Sequence, residues 1–598
     1  MKFPYGISDF KKLITKNYFY CDRTYMIPMI EDAAESILFL RPRRFGKSLL
    51  LSMLENYYDI NKKDMFDTIF GHLKIGKKTT EMRNKYFILK LDFSCVDSNG
   101  TVQEIKKSLH DHINDAIVKF NYYYKDLLPH KISVNPNNAI SSISSLLSSI
   151  QLCDYSIFLL IDEYDNFANE LMIKKTKLME GQDDLYTPFV TKDGPLRTVF
   201  KAIKSGTGSE GFDKTFITGV SPIVMSDITS GYNIADNIYL DEDYNALCGF
   251  FEEEVKDALS QIAKECELEK KMVDDMFYLV RVYFDGYKFS LDASEFVYNP
   301  TLVINYLKNC AKKCVPPRDL LDDNLAVDEQ KISYIASVAQ GKKIVYELVE
   351  KNVTLNISKL RKRFGINDLL SDKTKDNQFI ASYLYYVGAL TLLDETREGE
   401  LRLKIPNLIM KGLYIDRIKE IIFPEPQNRD AGIEAARLVY TKGNLTPICT
   451  FLENHYFKTL SNRDYIWGNE LTVKMAFLTL LYNDILFVMD SELEINRTYL
   501  DLTMIIRPDK RHFEINDVLI EFKYIPLSKA KLTGEQARNL TQKELESLSC
   551  IKKELISANN QANRYSQKLN QKYKNLSLKA FIVVSLGFER LCWEEILY

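Results

Sequence analysis

Leu40-Arg41-Pro42-Arg43-Arg44-Phe45-Gly46-Lys47-Ser48 follows the apolar run Ile37-Leu38-Phe39-Leu40 and leads into Leu49-Leu50-Leu51-Ser52-Met53-Leu54-Glu55. The stretch reads as strand, loop, helix. A Gly-Lys-Ser at the mouth of such a helix offers backbone N–H groups, the positive end of the helix dipole, a lysine for the β and γ phosphates and a hydroxyl for Mg²⁺. Arg44, Phe45, Gly46, Lys47 and Ser48 are therefore candidates for binding a nucleoside triphosphate. The general phosphate-loop pattern has glycine where Arg41 stands. A bulky first residue disfavours a positive-φ entry, so the loop is expected to be stiffened by Pro42, with Arg41, Arg43 or Arg44 adding charge near the phosphates. A basic turn before a core helix is the competing reading.

Working outward, Ser156-Ile157-Phe158-Leu159-Leu160-Ile161 ends in Asp162-Glu163-Tyr164-Asp165, a buried strand delivering acids to its carboxyl end. This is a Walker B pattern: Asp162 would hold Mg²⁺ and Glu163 would orient or deprotonate the attacking water. An acidic helix cap after a core strand is the alternative. Thr215-Phe216-Ile217-Thr218-Gly219-Val220-Ser221-Pro222 is a further strand whose polar tip, Thr218 foremost, could sense a γ-phosphate, or could be a plain strand exit. Tyr86-Phe87-Ile88-Leu89-Lys90-Leu91-Asp92-Phe93-Ser94 extends the set. Strands alternating with helical patterns imply crossover connections and a mostly parallel sheet covered on both faces.

These residues resemble the AAA-ATPase-like proteins whose ATPase is commonly followed by a PD-(D/E)XK nuclease domain. The resemblance rests on Gly6-Ile7-Ser8-Asp9-Phe10, Tyr20-Cys21-Asp22-Arg23-Thr24, the loop from Arg41 to Ser48, Leu160 to Asp165 and Thr218 to Pro222. Leu247-Cys248-Gly249-Phe250, Phe284 to Phe289, Val297-Tyr298-Asn299-Pro300 and Ile405-Pro406-Asn407 add to it. It implies ATP rather than GTP, since no base-reading motif stands out, and makes the arginine at the first loop position family-like.

The other end carries different chemistry. Asn516 to Ile525 reads as a strand with Val518, Ile520, Phe522 and Tyr524 on one face and Glu521 and Lys523 on the other. That is a surface-strand pattern as well as a catalytic one. Thr498 to Ile506 reads as a second strand, and Arg507-Pro508-Asp509-Lys510-Arg511 suits a turn, so a hairpin would bring Asp501 beside Glu521 and Lys523. Two such carboxylates can bind Mg²⁺ that polarises a phosphodiester while the lysine supports the attacking water. Glu470, on an amphipathic helix with Val473, Lys474 and Phe477, could add a third acid. Gln561 and Tyr565 share a face of a later helix and resemble the helix that follows the catalytic strand in these nucleases. Asp501 lacks the glycine often found nearby in that family.

With 598 residues, 46% hydrophobic and 27% charged, the chain has material for several cores, and a net charge of −3 excludes a global polycation. Nucleic acid would need a local patch, with Lys552, Lys553, Arg564, Lys568, Lys572 and Lys574 as candidates, although such faces are more often solvated. Ten cysteines without a Cys-x-x-Cys pair fit reduced thiols, and Cys310 and Cys314 read as core packing on one helix face. No signal peptide or bilayer-spanning stretch is found, so an intracellular protein, cytoplasmic or nuclear, is expected. The basic piece Lys359 to Gly365 reads as a helix.

The expected architecture is α/β: an AAA-ATPase-like P-loop domain over 1–315, a helical or winged-helix-like connector over 316–446, and an α/β PD-(D/E)XK nuclease-like domain over 447–598. ATP and Mg²⁺ are the expected cofactors, with Ser48 and Asp162 on one metal site and Asp501 and Glu521 on the other. Arg197 is a candidate for an arginine finger. The expected function is ATP hydrolysis coupled to metal-dependent cleavage of nucleic acid, DNA foremost, without a membrane partner and with a homo-oligomer left open. The alternative is a nucleotide-dependent switch or scaffold whose degenerate nuclease-like domain binds and does not cleave.

Overall fold

The computed structural model describes residues 1–166, 194–207, 211–222, 235–321, 332, 335–336, 339–350, 354–362, 364, 375–459, 470–490, 493–495, 498–573 and 576–596. They form two compact units. The first comprises Met1–Leu268, Asp285–Cys314 and Asn356–Leu403, the second Glu269–Phe284, Val315–Leu355 and Lys404–Tyr598. The 316–446 stretch is therefore shared, its 356–403 part going with the first unit.

In the first unit, β1 (Ser36–Leu40), β2 (Phe87–Asp92), β3 (Ile157–Asp162), β4 (Phe212–Gly219) and β5 (Asp236–Asn237) form one sheet in the order β2-β3-β4-β1-β5. Every pairing is parallel. The central strands are continuous apolar runs because helices cover both faces of such a sheet. All strand tips point the same way: Asp92 pairs with Asp162, and Leu40 with Gly219. Because β4 lies between β1 and β3, its polar tip stands between the phosphate loop and the acid pair.

The connecting helices include α1 (Lys47–Tyr58), α2 (Val102–Tyr123) and α3 (Ala139–Ile150). A capping box starts α2, with Thr101 N–H donating to Glu104 at 2.7 Å. The Ser-rich α3 is capped by Asn138. Tyr124 is buried and donates its hydroxyl to Asp59 at 2.9 Å. The expected basic helix at 359–365 does not form in its described part, which bends instead, with Arg361 paired to Asp376 at 2.8 Å; Arg363 and Gly365 lie outside the described residues.

Cysteine chemistry differs from expectation. Cys266 and Cys314 form a disulfide with Cα atoms 5.6 Å apart, whereas Cys310 is buried and takes no part in the bridge. The two bonded residues end α4 (Glu252–Cys266) and cap α5 (Pro300–Lys313). Cys314 is the left-handed cap at φ 56°, so it leaves the helix face it was expected to share with Cys310. Among the described residues no helix is long and apolar enough to cross a membrane.

The second unit holds β6 (Phe487–Asp490), β7 (Leu502–Ile506), β8 (Asp517–Ile525), β9 (Leu578–Leu586) and β10 (Arg590–Ile596), hydrogen-bonded in the order β10-β9-β8-β7-β6. Only β8 and β9 are parallel, so the chain between them must cross over, and α7 (Ser549–Lys572), downstream of α6 (Glu470–Leu481), makes that crossing. Leu519 and Ile525 of β8 pack in one core with Ala558, Ala562 and Tyr565 of α7. Phe522, on the opposite face, meets Phe477 of α6 edge-on at 5.2 Å. The strand expected over 498–506 is split. Thr498–Leu500 pairs with Leu493–Ile495, β7 starts at Leu502, and Asp501 stands at the break.

Candidate functional site

The first site is the loop from Arg41 to α1. Gly46 precedes the helix at φ 90°, and a Cβ there would meet nothing within 4 Å, so the backbone conformation alone reserves the position for glycine. No side chain caps α1, which leaves its first N–H groups facing the loop, the arrangement that binds phosphate. Phe45 is buried edge-on against Tyr287 and Phe289, at 5.0 and 5.2 Å between centroids, so it serves as an anchor. Thr301 adds a hydroxyl bond to the Arg44 carbonyl at 2.8 Å.

Arg41 does not face a phosphate position. Its guanidinium is buried between the rings of Phe39 and Phe289 and donates to the carbonyls of Leu40, Tyr239 and Tyr244 at 2.8, 2.9 and 2.7 Å. Burial lowers its pKa to about 10. Of the other two loop arginines, Arg43 donates to Asn166 at 2.6 Å, and Arg44 has a buried Nη1 without a hydrogen-bond partner. The expectation of added charge therefore passes to Arg43 and Arg44. Pro42 is fixed from outside: Gly388, at φ 81°, approaches so closely that a Cβ there would lie 2.8 Å from Pro42 Cβ.

Lys47 Nζ donates to the carbonyls of Arg41 and Pro42 at 2.9 and 3.0 Å. Burial lowers its pKa, opposed by the charges of Glu163, Asp162 and Asp165. Asp162 is buried and accepts from the Thr218 hydroxyl at 2.6 Å and from Glu163 N–H at 3.0 Å. Thr218 is thus engaged with the acid. Glu163 holds a left-handed backbone at φ 48°, and burial raises its pKa against Lys47 and Arg43. Asp165 binds the exit of β4, accepting from Val220 N–H at 3.0 Å and Ser221 N–H at 2.8 Å. Ser48 is half-buried at the helix start. Loop lysine, helix N-terminus and acid pair together gather the groups that a nucleotide phosphate requires.

Separated motifs meet around this site. Arg23 donates to the carbonyls of Ala246 and Gly249 at 2.8 and 2.9 Å and pairs with Glu254 at 2.5 Å, joining the Tyr20–Thr24 and Leu247–Phe250 stretches. Arg197, on the helix Pro195–Ser205, is half-buried with its Nε unpartnered.

The second site lies in the second unit, where Asp501 follows the register of β7 opposite Glu521. Its carboxylate accepts the Phe522 N–H at 2.9 Å, taking a β8 donor that a continuous strand would have occupied, which explains the break. Lys523 donates to Glu521 Oε1 at 2.7 Å. Glu521 is 1% exposed, so its face of β8 is covered rather than solvated, and its Oε2 is buried with no hydrogen-bond partner. Burial first, and then the charge of Asp501, raise the Glu521 pKa to about 8, against the pull of Lys523. Tyr565 takes a hydrogen bond from Gln561 at 2.8 Å, and Glu521 and Asp501 act electrostatically on its hydroxyl.

Sequence reasoning placed Lys474 on the helix face of Glu470 but gave it no role. In the structure Lys474 Nζ lies 3.4 Å from Asp501 Oδ1, a pairing that only the three-dimensional approach of α6 reveals. Glu470 opens that helix and contributes charge to the pair Glu521–Lys523. Among the described residues no group of three or more His, Cys, Asp or Glu side chains is disposed to hold a metal ion. The unpartnered oxygen of Glu521, beside a second carboxylate, nevertheless fits a hard cation bound by two acids and water.

Residues 4–229 match the AAA-ATPase-like family model, described as a predicted AAA-ATPase. An uncharacterized protein in the vnfD 5′ region of Azotobacter chroococcum mcd 1 is 26% identical over 302 residues, covering 50% of this chain and 50% of that protein. The chain thus spans about half the length of that curated relative. Solved structures that align include Cdc6p from Pyrobaculum aerophilum, with 12% identity, TM-score 0.24 and coverage of 66% of this chain and 91% of that one. The Aeropyrum pernix ORC2 protein in its ADPNP-ADP complexes aligns with 11% identity, TM-score 0.29 and coverage of 69% and 98%. At those TM-scores they carry no further weight. The N-terminal region of this chain, residues 4–229, is thus similar to AAA-ATPase-like nucleotide-binding domains.

Proposed function

We propose that the chain binds and hydrolyses ATP at the Arg44–Ser48 loop and cleaves nucleic acid phosphodiesters, DNA foremost, at the Asp501–Glu521–Lys523 centre, with nucleotide state controlling cleavage. The observation that carries the second half is the juxtaposition of Asp501, fixed by Phe522 N–H, with a buried Glu521 that keeps one oxygen unpartnered while the other holds Lys523.

In the first reaction Lys47 would neutralise phosphate charge, Ser48 and Asp162 would hold Mg²⁺, and Glu163 would align the attacking water, with Thr218 orienting Asp162. In the second, Asp501 and Glu521 would hold Mg²⁺, which when bound would supply Lewis acidity to the phosphate. Lys523 positions the attacking water. A water oxygen would bond to phosphorus as it gives up a proton to solvent, the bond from phosphorus to the leaving oxygen would break, and that oxygen would take up a proton from solvent.

Incubating the full chain with labelled DNA and RNA, with Mg²⁺ or Mn²⁺ and with or without ATP, tests this. Cleavage lost in Asp501→Asn supports the centre, and dependence on Lys47 supports the coupling. A second reading, the nucleotide switch with a non-cleaving domain, is favoured by two observations: Lys474 already sits beside Asp501, and no three-acid group is found among the described residues. ATP hydrolysis without cleavage under any condition would select it.

A further inference from the structure

The C-terminal centre contains two lysines as well as two facing acids, and each lysine is assigned to a different carboxylate. Lys523 lies 2.7 Å from Glu521, and Lys474 lies 3.4 Å from Asp501. Lys474 is the more deeply placed, with its side chain 2% exposed against 19% for Lys523. It arrives from a different element, α6, and its position is fixed one turn away by the edge-on contact of Phe477 with Phe522. Asp501 is therefore held on one oxygen by the Phe522 N–H at 2.9 Å and on the other by an ammonium.

Of the two Asp501 oxygens, the one facing Lys474 is the one not engaged by the Phe522 N–H, so a divalent cation shared with Glu521 would compete with Lys474 for it. Two like charges cannot share that oxygen at contact distance without a large repulsion in a site this sheltered from water. We propose that Lys474 is the exchange cation of Asp501: it occupies the carboxylate when no divalent ion is bound and must yield it when one binds. Lys474 thus positions Asp501 and sets the affinity for the ion, while touching neither the attacking water nor the leaving oxygen. The inference rests on the metal-dependent reading of this centre.

The test is Mn²⁺ binding by the full chain without nucleotide, followed by titration calorimetry and by the free-ion electron paramagnetic resonance signal, for wild type, Lys474→Met, Lys474→Arg and Asp501→Asn. Exchange predicts that Lys474→Met binds Mn²⁺ about ten-fold more tightly than wild type, that Lys474→Arg stays near wild type, and that Asp501→Asn abolishes the binding. A Lys474→Met protein that binds Mn²⁺ equally or more weakly overturns the proposal, as does the absence of Asp501-dependent binding in every variant. Should Lys474→Met not fold, Lys474→Gln takes its place with the same expectation. Cleavage is read separately. Tighter binding in Lys474→Met with no cleavage by any variant would uphold the exchange and reject the nuclease, whereas cleavage with unchanged Mn²⁺ affinity would do the reverse.

Discussion

Thr218 donates its hydroxyl to Asp162 at 2.6 Å, and through that bond the tip of β4 fixes the acid presented by β3. The contact follows from the strand order, in which β4 separates the loop strand from the acid strand. Thr218→Val keeps the shape and removes the donor. ATP hydrolysis should fall about ten- to a hundred-fold, the usual effect of losing a group that orients a metal-binding residue, while nucleotide affinity measured without Mg²⁺ stays near wild type. A parallel loss of affinity would mean that Thr218 meets the nucleotide itself.

Arg41 replaces the first glycine of the loop with a buried cation that ties three carbonyls together. Arg41→Met should leave those acceptors without a donor, at roughly 1–3 kcal/mol for each group that water cannot reach. Thermal unfolding should therefore occur well below wild type, with nucleotide affinity reduced at temperatures where the protein remains folded. Unchanged stability would remove Arg41 from its proposed clamping role.

Gly388 and Gly399 form a matched pair, at φ 81° and 80°. Alanine at either site incurs the left-handed strain, of order 1 kcal/mol. Only at Gly388 would the new methyl meet Pro42. Gly388→Ala should weaken nucleotide binding several-fold more than Gly399→Ala, measured with a fluorescent ATP analogue. Equal affinities would show that pressure on Pro42 does not reach the phosphate loop.

Glu521 gives a pH prediction with a defined sign. Its folded-state pKa, raised to about 8 from 4.5, means that the folded protein holds a proton that the unfolded chain releases earlier. The stability this group contributes is fully present below pH 4.5 and is lost as pH rises through about 8. In the presence of a chelator, denaturant midpoints should fall between pH 5 and pH 9, and Glu521→Gln should flatten that slope. A wild-type slope retained in Glu521→Gln would assign the effect to another group.

Much of this was legible in the sequence because continuous apolar runs mark buried parallel strands wherever they occur, and Gly46-Lys47-Ser48 and Asp162-Glu163 lie at their ends. The pairing of β7 with β8 was equally readable from alternation and a turn. What escaped depended on distant segments. Nothing local shows that Arg41 turns inward onto Tyr239 and Tyr244, that Cys266 rather than Cys310 meets Cys314, or that α6 carries Lys474 to Asp501. The alternation around Glu521 suited a surface acid as well as a catalytic one, and its burial beside the α7 helix is not written in the local sequence. Asp501 read as a strand residue, since the hydrogen bond that ends the strand there comes from Phe522, 21 positions away.

The most direct test of the central claim is cleavage of labelled DNA by the full chain with Mg²⁺ or Mn²⁺ and ATP, compared with Asp501→Asn and Lys47→Ala under the same conditions. The account predicts cleavage by wild type that is abolished in Asp501→Asn, a protein that still hydrolyses ATP, and that is reduced in Lys47→Ala. Cleavage that persists undiminished in Asp501→Asn, or none from a wild-type protein that hydrolyses ATP, would contradict it.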